Sequence, residues 1–244
     1  MSVTPDKSEA SRILAIIAAL REELAAVTAG IPAEDRALVQ MIRGGVGPQS
    51  AGKAAAQCNA RWVCSTGFCG GLTDQLNVGD IVVASAIVDG SAATQSATVT
   101  IDPTLVQNVL SALKSAGVVA HSGVITSVRD PVLACDSKRA LGQSAAAIAV
   151  DMESFAISAA CTGKMFVLRS VSDSVNDELP VEVSGFLDAE GNVRAGNITR
   201  FVLKRPTNIK KLMELKARSD IAARSLTAAW KAGWPVIRAR THES

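Results

Sequence analysis

"AAIAVDMESFAISAACTGKMFVLRSVSD", residues Ala146–Asp173, is the stretch that decides the fold. "AAIAV" (Ala146–Val150) is a short continuous apolar run, as in a strand buried on both faces. "DMESFAISAACTG" (Asp151–Gly163) follows without a break as a helix, with Gly at its stop. "KMFVLRSVSD" (Lys164–Asp173) is again a buried strand. Acidic residues stand at both ends of this apolar segment: Asp151 and Glu153 at one, Asp173 at the other. Each has a plain structural role open to it. Asp151 suits an N-cap, Glu153 favours the helix dipole, and Asp173 can cap a loop. The alternative is that they are two parts of one site.

The same alternation runs outward in both directions. "ILAIIAAL" (Ile13–Leu20) is a buried strand, and "REELAAV" opens a helix. "ALVQMIR" (Ala37–Arg43) alternates as a second strand. "GGVGPQSAGKAAAQCNA" gives a glycine turn, then a helix with Pro48 in its first position. "WVCST" (Trp62–Thr66) is a strand that ends in the turn "GFCGGL". Strands are expected at Val78–Val88 and in "HSGVITSV", with a weak one in "ATVTI". Helices are expected at Pro103–Gly117 and in "DSKRALGQS". After Pro180, "VEVSGFLDAEGNVRAGN" is irregular. A long amphipathic helix closes the chain from Arg205 to Trp234, with Leu212, Leu215, Ala222, Leu226, Ala229 and Trp230 on one face. Buried strands alternating with helices predict an α/β fold: a mostly parallel or mixed sheet with helices on both faces. Residues 1–11 read as a disordered tail, and 12–244 as one domain.

Composition narrows the function classes. The 244 residues are 48% hydrophobic and 20% charged, with a net charge of +2, which fits a well-cored globular chain in the cytoplasm. The basic residues are scattered apart from a loose C-terminal cluster that reads as the wet face of a helix, so no nucleic-acid or membrane partner is expected. There is no Tyr, and five Phe with three Trp do not make a stacking platform for single strands. The five cysteines form no CxxC pair and read as reduced core thiols. With only two His, a zinc site is not expected, nor is any other cofactor. The polar N-terminal stretch has no signal-peptide core, and the longest apolar run is too short to span a bilayer.

In sheets of this kind ligands gather at the carboxyl ends of strands. Glu22/Glu23, the Gly44–Gly47 turn, Gly67–Gly71 and Asp173 all follow strands, and Met152/Glu153 follow a fifth. Any one of these is weak evidence. Their convergence at one sheet edge points to a single site.

The order and wording of these features resemble the purine nucleoside phosphorylase family. The motifs are "IIAALREEL", "GGVGPQSA", "STGFCGGLTDQLNVGDIVV", "AVDMESFAIS" and "VLRSVSDS". More narrowly they resemble its nucleosidase branch, which includes methylthioadenosine/S-adenosylhomocysteine nucleosidase. The tail after residue 178 resembles hopanoid-associated nucleoside phosphorylase-like proteins, thought to remove adenine from an adenosyl lipid. The resemblance implies a three-layer α/β/α fold with a central mixed sheet, a small-molecule nucleoside substrate and a homo-oligomer, with a dimer favoured by the apolar "SFAISAAC". It implies cleavage of an N-glycosidic bond. By this resemblance Glu153 binds the ribose hydroxyls beside Met152, kept ionised by a helix N-terminus. Asp173 protonates the purine N7, a role that requires it to hold a proton, which burial favours. Glu23 activates water, with Glu22 as the alternative. Phe68, Cys69 and Gly70 line the pocket, and "TSVRD" (126–130), including Val128, lies near the base.

Arg21 stands where the nucleosidases carry an acidic residue. Phosphorylases bind phosphate through arginines, so Arg21, Arg43 and the turn ending at Gly47 are candidates for an anion site. Hydrolysis and phosphorolysis both remain open, with Glu23 favouring water and Asp173 favouring adenine. For a lipid substrate, residues 181–205, with Phe186, Leu187, Val193 and Phe201, are candidates for a lid.

Overall fold

The structure, a computed structural model, describes residues 13–91, 98–186, 188, 192, 194, 196–197, 200–201 and 208–242. The expected tail at 1–11, and Leu187 and Val193 of the candidate lid, lie outside the described residues.

Eight strands form one mixed sheet: β1 (Leu14–Ala18), β2 (Val39–Arg43), β3 (Trp62–Gly71), β4 (Ile81–Asp89), β5 (Thr98–Thr100), β6 (Ala120–Ser127), β7 (Ala149–Asp151) and β8 (Lys164–Asp173). The path runs β2-β1-β3-β7-β6-β4-β5, and β8 bridges β3 and β4. β1 is parallel to both β2 and β3. β3 is parallel to β8 and antiparallel to β7. β4 is antiparallel to β8 and parallel to β6, which is parallel to β7. The pairings therefore close a ring, β3-β7-β6-β4-β8, with β1 and β2 extending from it. All five residues of β1 are buried, as its unbroken apolar run requires.

The helices are α1 (Arg21–Gly30), α2 (Pro48–Ala56), α3 (Pro103–Ser115), α4 (Cys135–Ala145), α5 (Ser154–Ala160) and α6 (Asn208–His242). α1, α3 and α6 pack together as one layer, and α2 with α5 as another. This is the expected α/β fold, with a central mixed sheet between helices. No helix among the described residues is long and apolar enough to cross a membrane.

Three element boundaries differ from expectation. "GFCGGL" is not a turn, because β3 runs on to Gly71. Gly70 and Gly71 pair with β7 while Gly70 also pairs with Asp173 of β8, across a register shift at Cys69/Gly70. The helix expected from Asp151 starts at Ser154, because Asp151 still belongs to β7. The last helix passes Pro235 and reaches His242, because its buried stripe continues through Trp230, Trp234, Ile237 and Thr241.

Candidate active site

Eight of the expected residues meet at one cavity of about 230 Å³: Glu23, Phe68, Cys69, Gly70, Val128, Met152, Glu153 and Asp173. They arrive from four strand ends and the first turn of α1. Leu20, Val46, Val132, Val150 and Leu179 complete an apolar wall.

Glu23 is the third residue of α1, which is separated from the end of β1 by two residues. Its Oε2 accepts the Leu20 N–H at 2.8 Å and its Oε1 accepts the Phe68 N–H at 2.7 Å. The carboxylate thus closes its own helix N-terminus and ties it to β3. Gly67 makes room for it: a Cβ there would stand 2.4 Å from Oε1, and its φ of +139° is a conformation that side chains disfavour. Only 3% of Glu23 is exposed, and burial raises its pKa from 4.5 to about 7, against the opposing charge of Arg169. Glu22 points elsewhere. It is exposed and faces a groove between α1 and α6, because successive helical residues turn by roughly 100°. It is not an alternative base in this site.

Glu153 lies just before α5. Its Oε1 accepts the Gly47 N–H at 3.0 Å, and its Oε2 is 3.5 Å from Arg169 Nη1. The expected influence on Glu153, a helix N-terminus keeping it ionised, is not the largest one. Burial dominates and holds its pKa above the usual carboxylate range, with Arg169 opposing. Gly47, at φ +84°, has Met152 against it.

Asp151 is not the helix N-cap. It ends β7 and binds Arg169 Nη2 at 2.9 Å and Ser127 Oγ at 2.5 Å, and it also accepts from the Ser154 hydroxyl. Arg169 is the charge behind the whole site. It is 1% exposed, and it also reaches Ser65 Oγ at 2.8 Å and the Phe68 carbonyl at 3.1 Å. Sequence reading passed over Arg169, although a charged residue inside the buried run "VLRSV" needs carboxylate partners.

Asp173 ends β8, 8% exposed on the cavity wall. Burial was the only influence expected on it, but it is half of an ion pair: Lys138 Nζ lies 2.5 Å from Oδ2. Ser172 Oγ donates to Oδ1 at 2.8 Å. Gly70 leaves room for this carboxyl, since a Cβ would press on Asp173 Oδ2 at 3.1 Å. Of "TSVRD", Val128 lines the cavity, Thr126 and Ser127 are buried behind it, and Arg129 and Asp130 are exposed.

The candidate anion site does not assemble. Arg21 and Arg43 are exposed and outside the cavity, and Arg43 Nη1 binds Asn192 Oδ1 at 3.0 Å. The Gly47 amide is already given to Glu153.

Similarity to known proteins agrees with this geometry. A nucleosidase of Shewanella sp. (strain MR-7), 5′-methylthioadenosine/S-adenosylhomocysteine nucleosidase, is 32% identical over 177 residues, covering 63% of this chain and 74% of that protein. The crystal structure of the Helicobacter pylori enzyme of the same name superposes with a TM-score of 0.67 at 16% identity, covering 96% of this chain and 99% of that one. Futalosine hydrolase of Helicobacter pylori superposes with a TM-score of 0.68 at 17% identity, covering 93% and 98%. These two share the fold. The model of the phosphorylase superfamily matches residues 14–204, the span that carries β1 to β8 and every carboxylate of the cavity, and the chain belongs to that superfamily.

Proposed function

We propose that this chain is a nucleosidase that cleaves the N-glycosidic bond of a purine nucleoside with water, with adenine as the base. The observation that carries this is the convergence of four buried carboxylates on one cavity of about 230 Å³: Glu23, Glu153 and Asp173, with Asp151 beside them held by Arg169. In the proposed mechanism Asp173 gives a proton to the purine N7, so that the base leaves neutral rather than as an anion. Glu153 accepts hydrogen bonds from the ribose hydroxyls and holds the sugar against Met152. Glu23, whose pKa of about 7 suits proton transfer near neutrality, takes the proton of the attacking water. An acid serving the leaving group and a base serving water is the division of labour of glycoside hydrolysis. Water is favoured over phosphate because no arginine or lysine is among the described residues lining the cavity.

Steady-state kinetics on three variants test the roles. Asp173→Asn and Glu23→Gln should each lower kcat by roughly 10²-fold or more, the scale of lost acid–base catalysis. The acid limb of kcat/KM should bend near pH 7, where Glu23 ionises, and vanish in Glu23→Gln. Glu153→Gln should raise KM for the nucleoside. Undiminished turnover in Asp173→Asn would remove Asp173 as the acid, and no release of adenine by the parent would end the proposal.

One observation favours a larger substrate. A mainly apolar groove of about 630 Å³ between α1 and α6 shares Leu20 and Phe68 with the cavity, and Val183, Phe186, Leu212 and Leu215 line it. An adenosyl lipid would extend its apolar part there, against Phe186, whose ring meets Phe201 edge to face at 5.2 Å. We also keep the homodimer as a proposal, with α5 at the interface; sedimentation velocity tests it.

A further inference from the structure

Lys138 is a residue of α4 with 0% of its surface exposed. Lysine is almost never buried this deeply without partners. Its ammonium donates to Asp173 Oδ2 at 2.5 Å, to the Ser174 carbonyl at 2.9 Å and to the Asp177 carbonyl at 2.8 Å. Those three bonds use all three of its N–H groups. The carboxyl that faces the cavity is therefore held on one side by a neutral hydroxyl, Ser172, and on the other by a cation. The ammonium N–H aimed at Oδ2 is thus the hydrogen nearest the oxygen that has to serve the departing purine.

We propose that Lys138 is the proton reserve of Asp173, a positioning residue that acts on the substrate only through that carboxyl; this rests on the nucleosidase function proposed above. The step balances. Lys138 gives a proton to Asp173, and the acid so formed gives one to N7. The electron pair of the C1′–N9 bond leaves with the purine. Water adds its oxygen to C1′ and loses a proton to Glu23. Lys138 ends neutral and Glu23 protonated; Glu23 releases its proton to solvent, and Asp173, the member of the pair on the cavity wall, takes one up and passes it to Lys138, which restores both.

The surrounding charges leave this pair intact. The Asp177 carboxylate is engaged by Arg218 of α6 at 2.8 Å. Arg139, next to Lys138, points outward to Asp74 at 2.9 Å. Asp136 on α4 and Glu178 after β8 are exposed. Across the cavity Glu23, Asp151 and Glu153 face Arg169, and burial keeps the Cys69 thiol protonated. Lysine fits the role because its ammonium can release a proton, which a guanidinium in a protein does not.

Two substitutions separate a proton reserve from a mere prop. K138R keeps the charge but cannot supply the proton, so kcat should fall roughly 10²-fold at every pH while KM changes by less than about threefold. K138M removes both the charge and the proton, so its kcat should fall at least as far as that of K138R. A residue that only props the carboxyl by its charge would instead leave K138R near the parent and K138M alone impaired. Thermal melts establish that each variant is folded. Parent-like kcat and pH profile in K138R would overturn the proposal, because charge alone would suffice. So would a parent-like kcat in K138M. If K138M is too unstable to assay, K138R decides. Asp173→Asn is the control: full activity there removes the acid role on which the reserve rests, and no adenine release by the parent removes the nucleosidase function itself, whereas loss in Asp173→Asn with parent-like Lys138 variants removes only the reserve.

Discussion

Gly67 has no side chain, and the Glu23 carboxylate fills the space where one would stand. Gly67→Ala puts a methyl group within 2.4 Å of Oε1 and strains a backbone at φ +139°. It should cost more than about 1 kcal/mol and reduce turnover strongly, as denaturant unfolding and kinetics together will show. The pH dependence of stability follows from Glu23 itself. Its folded-state pKa lies above its ordinary value, so the folded chain holds that proton more tightly than the unfolded one. The resulting stabilisation is complete below pH 4.5 and is lost as pH rises towards about 7. The loss is on the order of 3 kcal/mol. Denaturant titrations between about pH 5 and about pH 8 should show this decline in the parent and a flatter curve in Glu23→Gln. Identical curves would contradict it. Glu23, Glu153 and Asp173 were legible in the sequence because acidic residues after apolar strands stand out. Arg169 and Lys138 were not. Lys138 lies in the polar run "DSKRALGQS", where local pattern reads a lysine as solvated, and its partner is 35 residues away.

Two elements carry Glu23 into place, and each depends on a close approach. α1 packs on α6 through Gly30, where a Cβ would fall 2.6 Å from the Trp230 Cβ. Trp230 is fully buried, and its Nε1 donates to Thr66 Oγ1 at 3.1 Å on β3, the strand that holds Phe68 and Gly70. Trp234, one turn on, donates to Asp35 Oδ2 at 2.6 Å. Trp230→Ala should therefore destabilise the chain by about 3–5 kcal/mol in urea unfolding. A change below about 1 kcal/mol would mean that α6 is not part of the same cooperative core. Strand and helix identities were mostly legible, since β1 is an unbroken apolar run and β8 carries the apolar stretch Met165–Leu168. The run of glycines in β3 was misread as a turn because glycine signals both chain reversal and close approach. Only the tertiary neighbours, Glu23 and Asp173, tell which it is. The extension of α6 past Pro235 was missed for a similar reason: proline reads as a stop, while the buried stripe on the far side is a long-range fact.

At the scale of the molecule, the strands deliver their carboxyl ends to one place. β3, β7 and β8 belong to the closed ring, and β1 adds Glu23 from its flank. That arrangement brings a candidate base, a candidate sugar ligand and a candidate acid to one cavity, and it leaves Arg21 and Arg43 outside. A phosphate ion would thus find no arginine among the described cavity residues. The most direct measurement is chromatography of the purified chain incubated with methylthioadenosine and with adenosine, each with and without phosphate. Adenine and free sugar should appear at the same rate in both conditions. Adenine release that requires phosphate, with a sugar 1-phosphate as the second product, would contradict hydrolysis and the role given to Glu23.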